Sequence, residues 1–174
     1  EVLADLATSR PMRRLLQGDV GSGKTAVAAI ALAATVRGGW QGALMAPTEI
    51  LARQHHAGLA PLLDALGVRA EFLSGSLGAA RRRDVHEKLA AGMADVVIGT
   101  HAVISDGVEL PRLGLAVVDE QHRFGVAQRA ALQAKAGERD PHVLALTATP
   151  IPRTLALTFY GDLAISSIRE LPPG

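Results

Sequence analysis

Short runs of aliphatic residues recur along the chain, and most are followed by a longer segment whose apolar residues have helical spacing. The short runs predict strands, and the longer segments predict helices that bury one face. The predicted strands lie at about 13–17, 43–46, 68–73, 95–98, 115–118, 142–146 and 163–168. The predicted helices lie at about 26–36, 48–66, 78–91, 125–136 and 152–159. Because such alternation favours right-handed crossovers, we predict an α/β fold of three layers with a central, mostly parallel sheet.

Polar clusters stand at the carboxyl ends of the predicted strands. Ligands of open parallel sheets bind along that edge, so this edge is the predicted functional surface. The clusters are Gly18–Thr25, Pro47–Glu49, Ser74–Ser76, Gly99–His101, Asp119–His122 and Thr147–Pro150.

The first cluster matches the phosphate-binding pattern Gly-x-x-x-x-Gly-Lys-Ser/Thr and lies between a predicted strand and an alanine-rich predicted helix. Glycines permit positive φ and let backbone N–H groups approach phosphate oxygens, and the following helix presents its positive end. Lys24 adds a charge for the β- and γ-phosphates, and Thr25 offers a hydroxyl to Mg²⁺. The predicted nucleotide-binding residues are Gly18, Asp19, Val20, Gly21, Ser22, Gly23, Lys24 and Thr25.

An acidic pair follows the most apolar of the predicted strands. A carboxylate on Asp119 can face a magnesium ion held near Thr25, and Glu120 can then position and deprotonate the attacking water. The alternative is an acidic helix start that the helix dipole favours. The predicted catalytic residues are Lys24, Asp119, Glu120, Gln121 and His122, and the predicted metal ligands are Thr25 and Asp119.

The composition limits the class of protein. A chain of 174 residues forms one domain, and with 48% hydrophobic but only 3% aromatic residues its core must be aliphatic. Cysteine is absent, which excludes disulfides and thiolate metal sites and agrees with a cytoplasmic location. The apolar runs are too short to cross a bilayer, so we expect no membrane partner. A net charge of +1 gives no argument for nucleic acid, and the pair His55–His56 lacks metal-ligand spacing and is expected to be structural.

Four motifs together resemble the first RecA-like domain of superfamily 2 helicases, a P-loop NTPase fold. They are Gly18–Thr25, Pro47–Leu51, Asp119–His122 and Thr147–Thr149. In sequence detail, above all over Asp119–Val126 and Thr147–Leu155, these motifs resemble the RecG family of ATP-dependent DNA helicases. The transcription-repair coupling factors share much of this sequence but usually have Asp-Glu-Glu-His at the acidic motif, so Gln121 favours the RecG family.

The resemblance covers essentially the whole chain and implies further roles. ATP and Mg²⁺ are the expected cofactors, and branched or forked DNA is the expected partner through contacts to its backbone. Thr147, Thr149 and Arg153 are expected to couple hydrolysis to movement. Independently of the resemblance, the place of His122 in the acidic cluster suggests hydrogen bonds to Thr147 or Thr149, and the alternative is an ordinary surface or core histidine. The residues implied in DNA binding are Pro47, Thr48, Glu49, Ser74, Gly75, Gly99, Thr100 and His101.

The same resemblance implies that residues 1–174 are one ATP-binding domain of a longer protein. A second RecA-like domain and a DNA-junction domain of the same chain are the expected partners, so the isolated domain should hydrolyse ATP weakly and unwind nothing. Two alternatives stay open: a nucleotide-binding module without turnover, and a P-loop ATPase unrelated to nucleic acid. The strand-end loops could likewise be helix caps and turns only.

Overall fold

The computed structural model describes residues 1–119, 126–154 and 163–169. The strands are β1 (Arg13–Gln17), β2 (Gln41–Met45), β3 (Ala70–Leu73), β4 (Val96–Gly99), β5 (Leu113–Asp119), β6 (His142–Thr147) and β7 (Ala164–Ser167). The helices are α1 (Val2–Leu6), α2 (Lys24–Arg37), α3 (Glu49–Ala65), α4 (Ala79–Ala90) and α5 (Val126–Ala136). A short 3-10 helix over His101–Ile104 was not predicted, and most of the helix predicted at 152–159 lies outside the described residues.

The seven strands form one sheet in the order β3-β4-β2-β5-β6-β1-β7, and every pairing is parallel. The α/β fold predicted from the alternation is thereby confirmed. All carboxyl ends of the strands meet at one edge, which we call the carboxyl edge. Because β5, β6 and β1 are neighbours, Asp119 lies in register with Leu146, and Leu146 with Leu16.

Two apolar cores lie on the two faces of the sheet. One contains residues of α2 and α3, among them Leu32 and Leu59, and the other contains residues of α4 and α5, among them Val85 and Leu132. Strand β5 contributes alternately to both, with Leu115 and Val117 in the first core and Ala116 and Val118 in the second. Since side chains alternate along a strand, the next residue of the first set, Asp119, belongs to the face that α2 and α3 cover.

Small residues line the contact between helix α2 and the sheet. Ala28 and Ala31 are fully buried, and a Cβ placed on Gly42 of β2 would lie 2.5 Å from Cδ2 of Leu32. The alanine-rich segment therefore serves packing as well as helix formation, since alanine has the highest helix propensity. None of the helices in the described part of the chain combines the length and the apolar character that a bilayer span requires.

Candidate functional site

The phosphate-loop sequence has the predicted local structure. Strand β1 ends at Gln17, and α2 begins at Lys24. Between them the chain turns through Gly21 with φ of 81° and Gly23 with φ of 94°. Residues that have a Cβ rarely adopt such positive φ angles. Gly23 is the N-cap of α2 and has no side chain to cap the helix, so the N-terminal N–H groups of the helix remain available to an anion.

Lys24 lies folded against this loop. Its Nζ donates to the carbonyl oxygen of Asp19 at 2.8 Å and also to that of Gly18. Two carbonyl oxygens therefore hold the ammonium group over the loop, where an anion can share it. The neighbouring Thr25, in the first turn of α2, is exposed, so its hydroxyl is accessible to a ligand.

Ser22 explains why the loop starts with a glycine. A Cβ on Gly18 would lie 2.4 Å from Oγ of Ser22, so only glycine allows the serine to pack there. Oγ of Ser22 is buried and has no hydrogen-bond partner among the described residues. An unsatisfied buried hydroxyl is costly, and an anionic ligand in the loop would satisfy it.

These groups fit a magnesium nucleotide. The loop provides positive-φ glycines, an uncapped helix N-terminus, an ammonium group and an unpaired hydroxyl, all of which suit phosphate. Magnesium is usually held through one or two carboxylates together with substrate phosphates, and the predicted ligands Thr25 and Asp119 each carry a side-chain oxygen that suits such a site. Within residues 1–119, 126–154 and 163–169, no cluster of three or more His, Asp or Glu side chains forms a metal cage of its own.

Asp119 ends β5, two strands away from β1. Its register row continues through Leu146 to Leu16, so with a strand spacing of about 4.8 Å its backbone lies about 10 Å from the strand that feeds the loop. The side chain of Asp119 and the phosphates of a ligand bound in the loop can together span that distance. Glu120, Gln121 and His122, the other predicted catalytic residues of this motif, lie outside the described residues.

The contact of His55 was not predicted. Nε2 of His55, on α3, lies 2.6 Å from Oδ2 of Asp119, and both side chains are largely buried. The structural interpretation of His55–His56 did not include this contact with Asp119. His56 does fit it: the ring packs edge-on against Phe72 at 5.7 Å, and burial lowers its pKa. The feature that could have drawn attention to His55 is its position on the helix that begins at Glu49, within the predicted cluster Pro47–Glu49.

The predicted coupling segment is bonded directly to the phosphate loop. The N–H of Gly18 donates to the carbonyl oxygen of Thr147 at 3.2 Å. Oγ1 of Thr147 accepts from the N–H of Thr149 at 3.2 Å and lies 3.3 Å from its carbonyl oxygen. Gln17 also donates through Nε2 to the carbonyl oxygen of Ile151 at 3.3 Å, and Arg153 is exposed at the end of this segment.

The three loops implied in DNA binding are neighbours, because they follow β2, β3 and β4. Thr48 caps α3, with Oγ1 accepting from the N–H of Leu51 at 3.3 Å. Oε1 of Glu49 accepts from Oγ of Ser76, whose hydroxyl lies 3.0 Å from that of Ser74. The bond from Ser76, followed by that from Arg53, lowers the pKa of Glu49, which therefore stays charged near neutral pH.

The loop after β4 packs tightly beside the loop after β3. The N–H of Thr100 donates to the carbonyl oxygen of Leu73 at 3.3 Å, and a Cβ on Gly99 would lie 1.8 Å from that oxygen. Thr100 is buried and caps the 3-10 helix, whereas His101 is exposed. Thr48, Gly75 and His101 thus present the exposed part of this surface, while Ser74, Gly99 and Thr100 are buried beneath it.

The carboxyl edge is therefore divided into two halves by the strand order. The loops that follow β3, β4 and β2 form one half, which we call the backbone half. The loops that follow β5, β6 and β1 form the other, which we call the phosphate half. Strand β2 adjoins β5, so the two halves share a border at the centre of the sheet.

Comparison with known proteins identifies the family. The model of the DEAD/DEAH box helicase family matches residues 3–158. The chain belongs to this family.

Several relatives of this DEAD/DEAH box helicase domain are ATP-dependent DNA helicases named RecG. The whole chain is 56% identical to the ATP-dependent DNA helicase RecG of Synechocystis sp., of which it covers 21%. It is 54% identical to RecG of Bacillus subtilis, of which it covers 25%. The resemblance to RecG-family helicases that the motifs predicted is confirmed by these matches.

Solved structures agree on the fold of the DEAD/DEAH box domain. The structure of RecG bound to a three-way DNA junction matches all of this chain with a TM-score of 0.86 and 41% identity, and the match covers 23% of that chain. The helicase domain of Pyrococcus furiosus Hef matches 97% of this chain with a TM-score of 0.67 and 20% identity, covering 38% of that chain, which supports the fold alone. The predicted RecA-like fold is confirmed. The chain spans about a fifth to a quarter of the RecG relatives it matches.

Proposed function

We propose that this chain is the ATP-binding motor domain of a DNA helicase that couples ATP hydrolysis to the remodelling of branched DNA. The observation that carries the proposal is the divided carboxyl edge, with a phosphate-binding loop in one half and three adjacent loops of small and hydroxylic residues in the other. The relatives named RecG, one of them solved on a three-way DNA junction, support the choice of branched DNA.

In the phosphate half, each residue has a separate task. The loop from Gly18 to Thr25 binds the phosphates through its backbone N–H groups, and Lys24 neutralises charge on the β- and γ-phosphates. Thr25 and Asp119 hold Mg²⁺, which neutralises charge on the phosphates when it is bound. Glu120 orients the attacking water and accepts its proton.

In the backbone half, the contacts position DNA without reading its sequence. Exposed backbone and hydroxyl groups at Thr48, Gly75 and His101 suit phosphate oxygens, and contacts to phosphates carry no base information. Glu49 is negatively charged, so its role is to fix this surface through Ser76 rather than to bind a phosphate. Pro47, Ser74, Gly99 and Thr100 shape the loops from below.

Other domains of the longer protein complete the motor. We propose a second RecA-like domain, which would close over the nucleotide and supply an arginine finger, and a DNA-junction domain. Because such a finger contributes about 10³–10⁵-fold to the rate in phosphoryl-transfer enzymes, the isolated chain is expected to bind nucleotide weakly and hydrolyse it poorly.

The test is phosphate release by the full-length protein with forked DNA, linear duplex or no DNA. We expect forked DNA to stimulate turnover most strongly. Turnover that ignores DNA would overturn the helicase proposal and favour an ATPase unrelated to nucleic acid.

Two variants of the same protein test the assigned residues. Lys24→Ala should lose most affinity for a fluorescent ATP analogue, and Glu120→Gln should keep that affinity while losing turnover. Matched controls are Lys88→Ala and Glu87→Gln on α4, which covers the opposite face of the sheet. Unchanged turnover in Glu120→Gln would remove this residue from its proposed role, and binding without turnover in the wild type would favour a nucleotide-binding module.

A further inference from the structure

A side-chain contact crosses the border between the two halves of the carboxyl edge. His55 belongs to α3, the helix that Thr48 caps at the edge of the backbone half, and Asp119 ends β5 in the phosphate half. The two residues are 64 positions apart in the chain, and Nε2 lies 2.6 Å from Oδ2. Resting on the proposed function, we propose that His55 is a positioning residue for Asp119: it holds the carboxylate in the orientation in which Asp119 serves as a magnesium ligand.

The donor and the acceptor in this bond are fixed by chemistry. An ionised carboxylate only accepts hydrogen bonds, so the imidazole must carry a proton on Nε2 and donate it. A bond of this length to a charged acceptor is in the strong range. It uses Oδ2, so Oδ1 is the oxygen left for another partner.

Burial makes this bond effective as a constraint. The side chains of His55 and Asp119 are only 14% and 15% exposed, so water competes weakly for either group. The backbone on both sides is also fixed, since His55 lies in the second turn of a capped helix and Asp119 is paired with β6. A carboxylate anchored in this way loses rotamer freedom before the ion arrives, which lowers the entropic cost of binding.

The position of the two residues on the same face of the sheet argues against an incidental contact. Along strand β5, Asp119 points to the same side as Leu115 and Val117, and those two residues face the core shared with α2 and α3. The phosphate loop runs into α2 on that face, so His55 approaches the carboxylate from the side on which the nucleotide is proposed to bind. His56 is the natural comparison, because its ring packs against Phe72 instead.

The experiment uses the full-length protein and measures the affinity of a fluorescent ADP analogue with magnesium and with EDTA. Two donor-free variants, His55→Ala and His55→Leu, remove the bond, and the leucine preserves volume. In both, the magnesium-dependent gain in affinity should fall by about tenfold, as for other residues that orient metal ligands, while the affinity in EDTA stays unchanged. His55→Gln, whose amide can donate to Asp119, should recover most of the gain, and His56→Ala should leave it intact.

Three outcomes would overturn the assignment. A full magnesium-dependent gain in the donor-free variants would show that the bond is not needed, and equal losses with magnesium and with EDTA would indicate a structural role. Tighter magnesium-dependent binding would show that His55 competes with the ion. If the affinity of the wild type were the same with magnesium and with EDTA, the proposed metal site itself would be wrong. That outcome differs from a wild type that shows the magnesium-dependent gain and a variant that keeps it, which would overturn only the role of His55. Thermal unfolding midpoints of all variants show whether each is folded.

Discussion

The N–H of Gly18 donates to the carbonyl oxygen of Thr147 at 3.2 Å, so the residue that opens the phosphate loop is bonded to the last residue of β6. Thr147 is buried, and its hydroxyl turns back to Thr149. A displacement of the phosphate loop is therefore expected to move the segment after β6, and the reverse. This continuity supports a role for Thr147 in linking nucleotide state to movement.

We expect Thr147→Val in the full-length protein to keep its fold and its nucleotide affinity but to lose much of its DNA unwinding. Valine preserves the shape while removing the acceptor for the N–H of Thr149. The backbone bond to Gly18 needs no side chain and remains. If the hydroxyl transmits coupling, the loss should correspond to about 0.5–2 kcal/mol, a decrease of about twofold to roughly thirtyfold in unwinding per ATP hydrolysed.

Thr147→Ser is the matched control, because it retains the hydroxyl. The measurement is strand separation of forked DNA together with phosphate release in the same reaction. Equal decreases of both rates in Thr147→Val would mean that the hydroxyl supports hydrolysis itself rather than coupling.

Gly99→Ala should destabilise the chain. The new Cβ would lie 1.8 Å from the carbonyl oxygen of Leu73 and 3.0 Å from Cγ2 of Val103, and a strand inside the sheet cannot easily move away. Overpacking of this kind costs about 1–3 kcal/mol of the free energy of unfolding, and a clash with backbone belongs at or above the upper end. Urea unfolding of the 174-residue chain, followed by far-ultraviolet circular dichroism, measures the change.

Gly58→Ala is the control for that substitution. Gly58 lies inside α3, its φ is not positive, and a Cβ there would meet nothing within 4 Å. Replacing a helical glycine by alanine should stabilise the chain by about 0.5–1 kcal/mol. Similar destabilisation by both substitutions would contradict the close approach of β3 and β4 at Gly99.

Acid should weaken the fold through His142. Nδ1 of His142 accepts the N–H of Met12 at 2.8 Å, and burial lowers the pKa of the imidazole below its ordinary value of 6.5. Above pH 6.5 the residue is neutral in both states, and its contribution to stability is complete. As the pH falls from there towards the lower pKa of the folded state, the unfolded chain binds more protons, so the free energy of unfolding decreases.

His142→Asn isolates this contribution, since the amide oxygen can accept from Met12 but does not titrate. Urea unfolding of both proteins on either side of pH 6.5 should show a smaller loss for the variant. A residual slope is expected from His56, whose pKa burial also lowers. Identical pH dependence in the two proteins would exclude His142 as a source of the acid sensitivity.

The local elements followed closely from the sequence. Strand β1 has the predicted bounds, and no end of the other strands differs from prediction by more than two residues. Thr48 caps α3, and Gly67, with φ of 76°, follows the end of that helix. These features depend on side-chain alternation, capping and backbone sterics. Because these effects act over a few neighbouring residues, they can be predicted from the sequence.

The 3-10 helix over His101–Ile104 escaped prediction for the opposite reason. Its N-cap, Thr100, donates its N–H to the carbonyl oxygen of Leu73, a strand away in the sheet, and that contact is not visible from neighbouring residues. The strand order also could not be obtained from alternation, which predicts that strands are parallel but not which of them are neighbours. Whether Glu120, Gln121 and His122 take the predicted positions stays a prediction.

The sequence by itself determined the kind of fold, the edge of the sheet at which the polar clusters lie, and the loop whose residues suit phosphate, because each of these is encoded by residue type at short spacing. Only the tertiary structure decided that the loops after β3, β4 and β2 form one half of that edge, and that His55 reaches Asp119. Both depend on how crossovers order the strands and on which helix covers which strand. Such distant pairings are selected by packing of the whole chain, and no short stretch of residues specifies them.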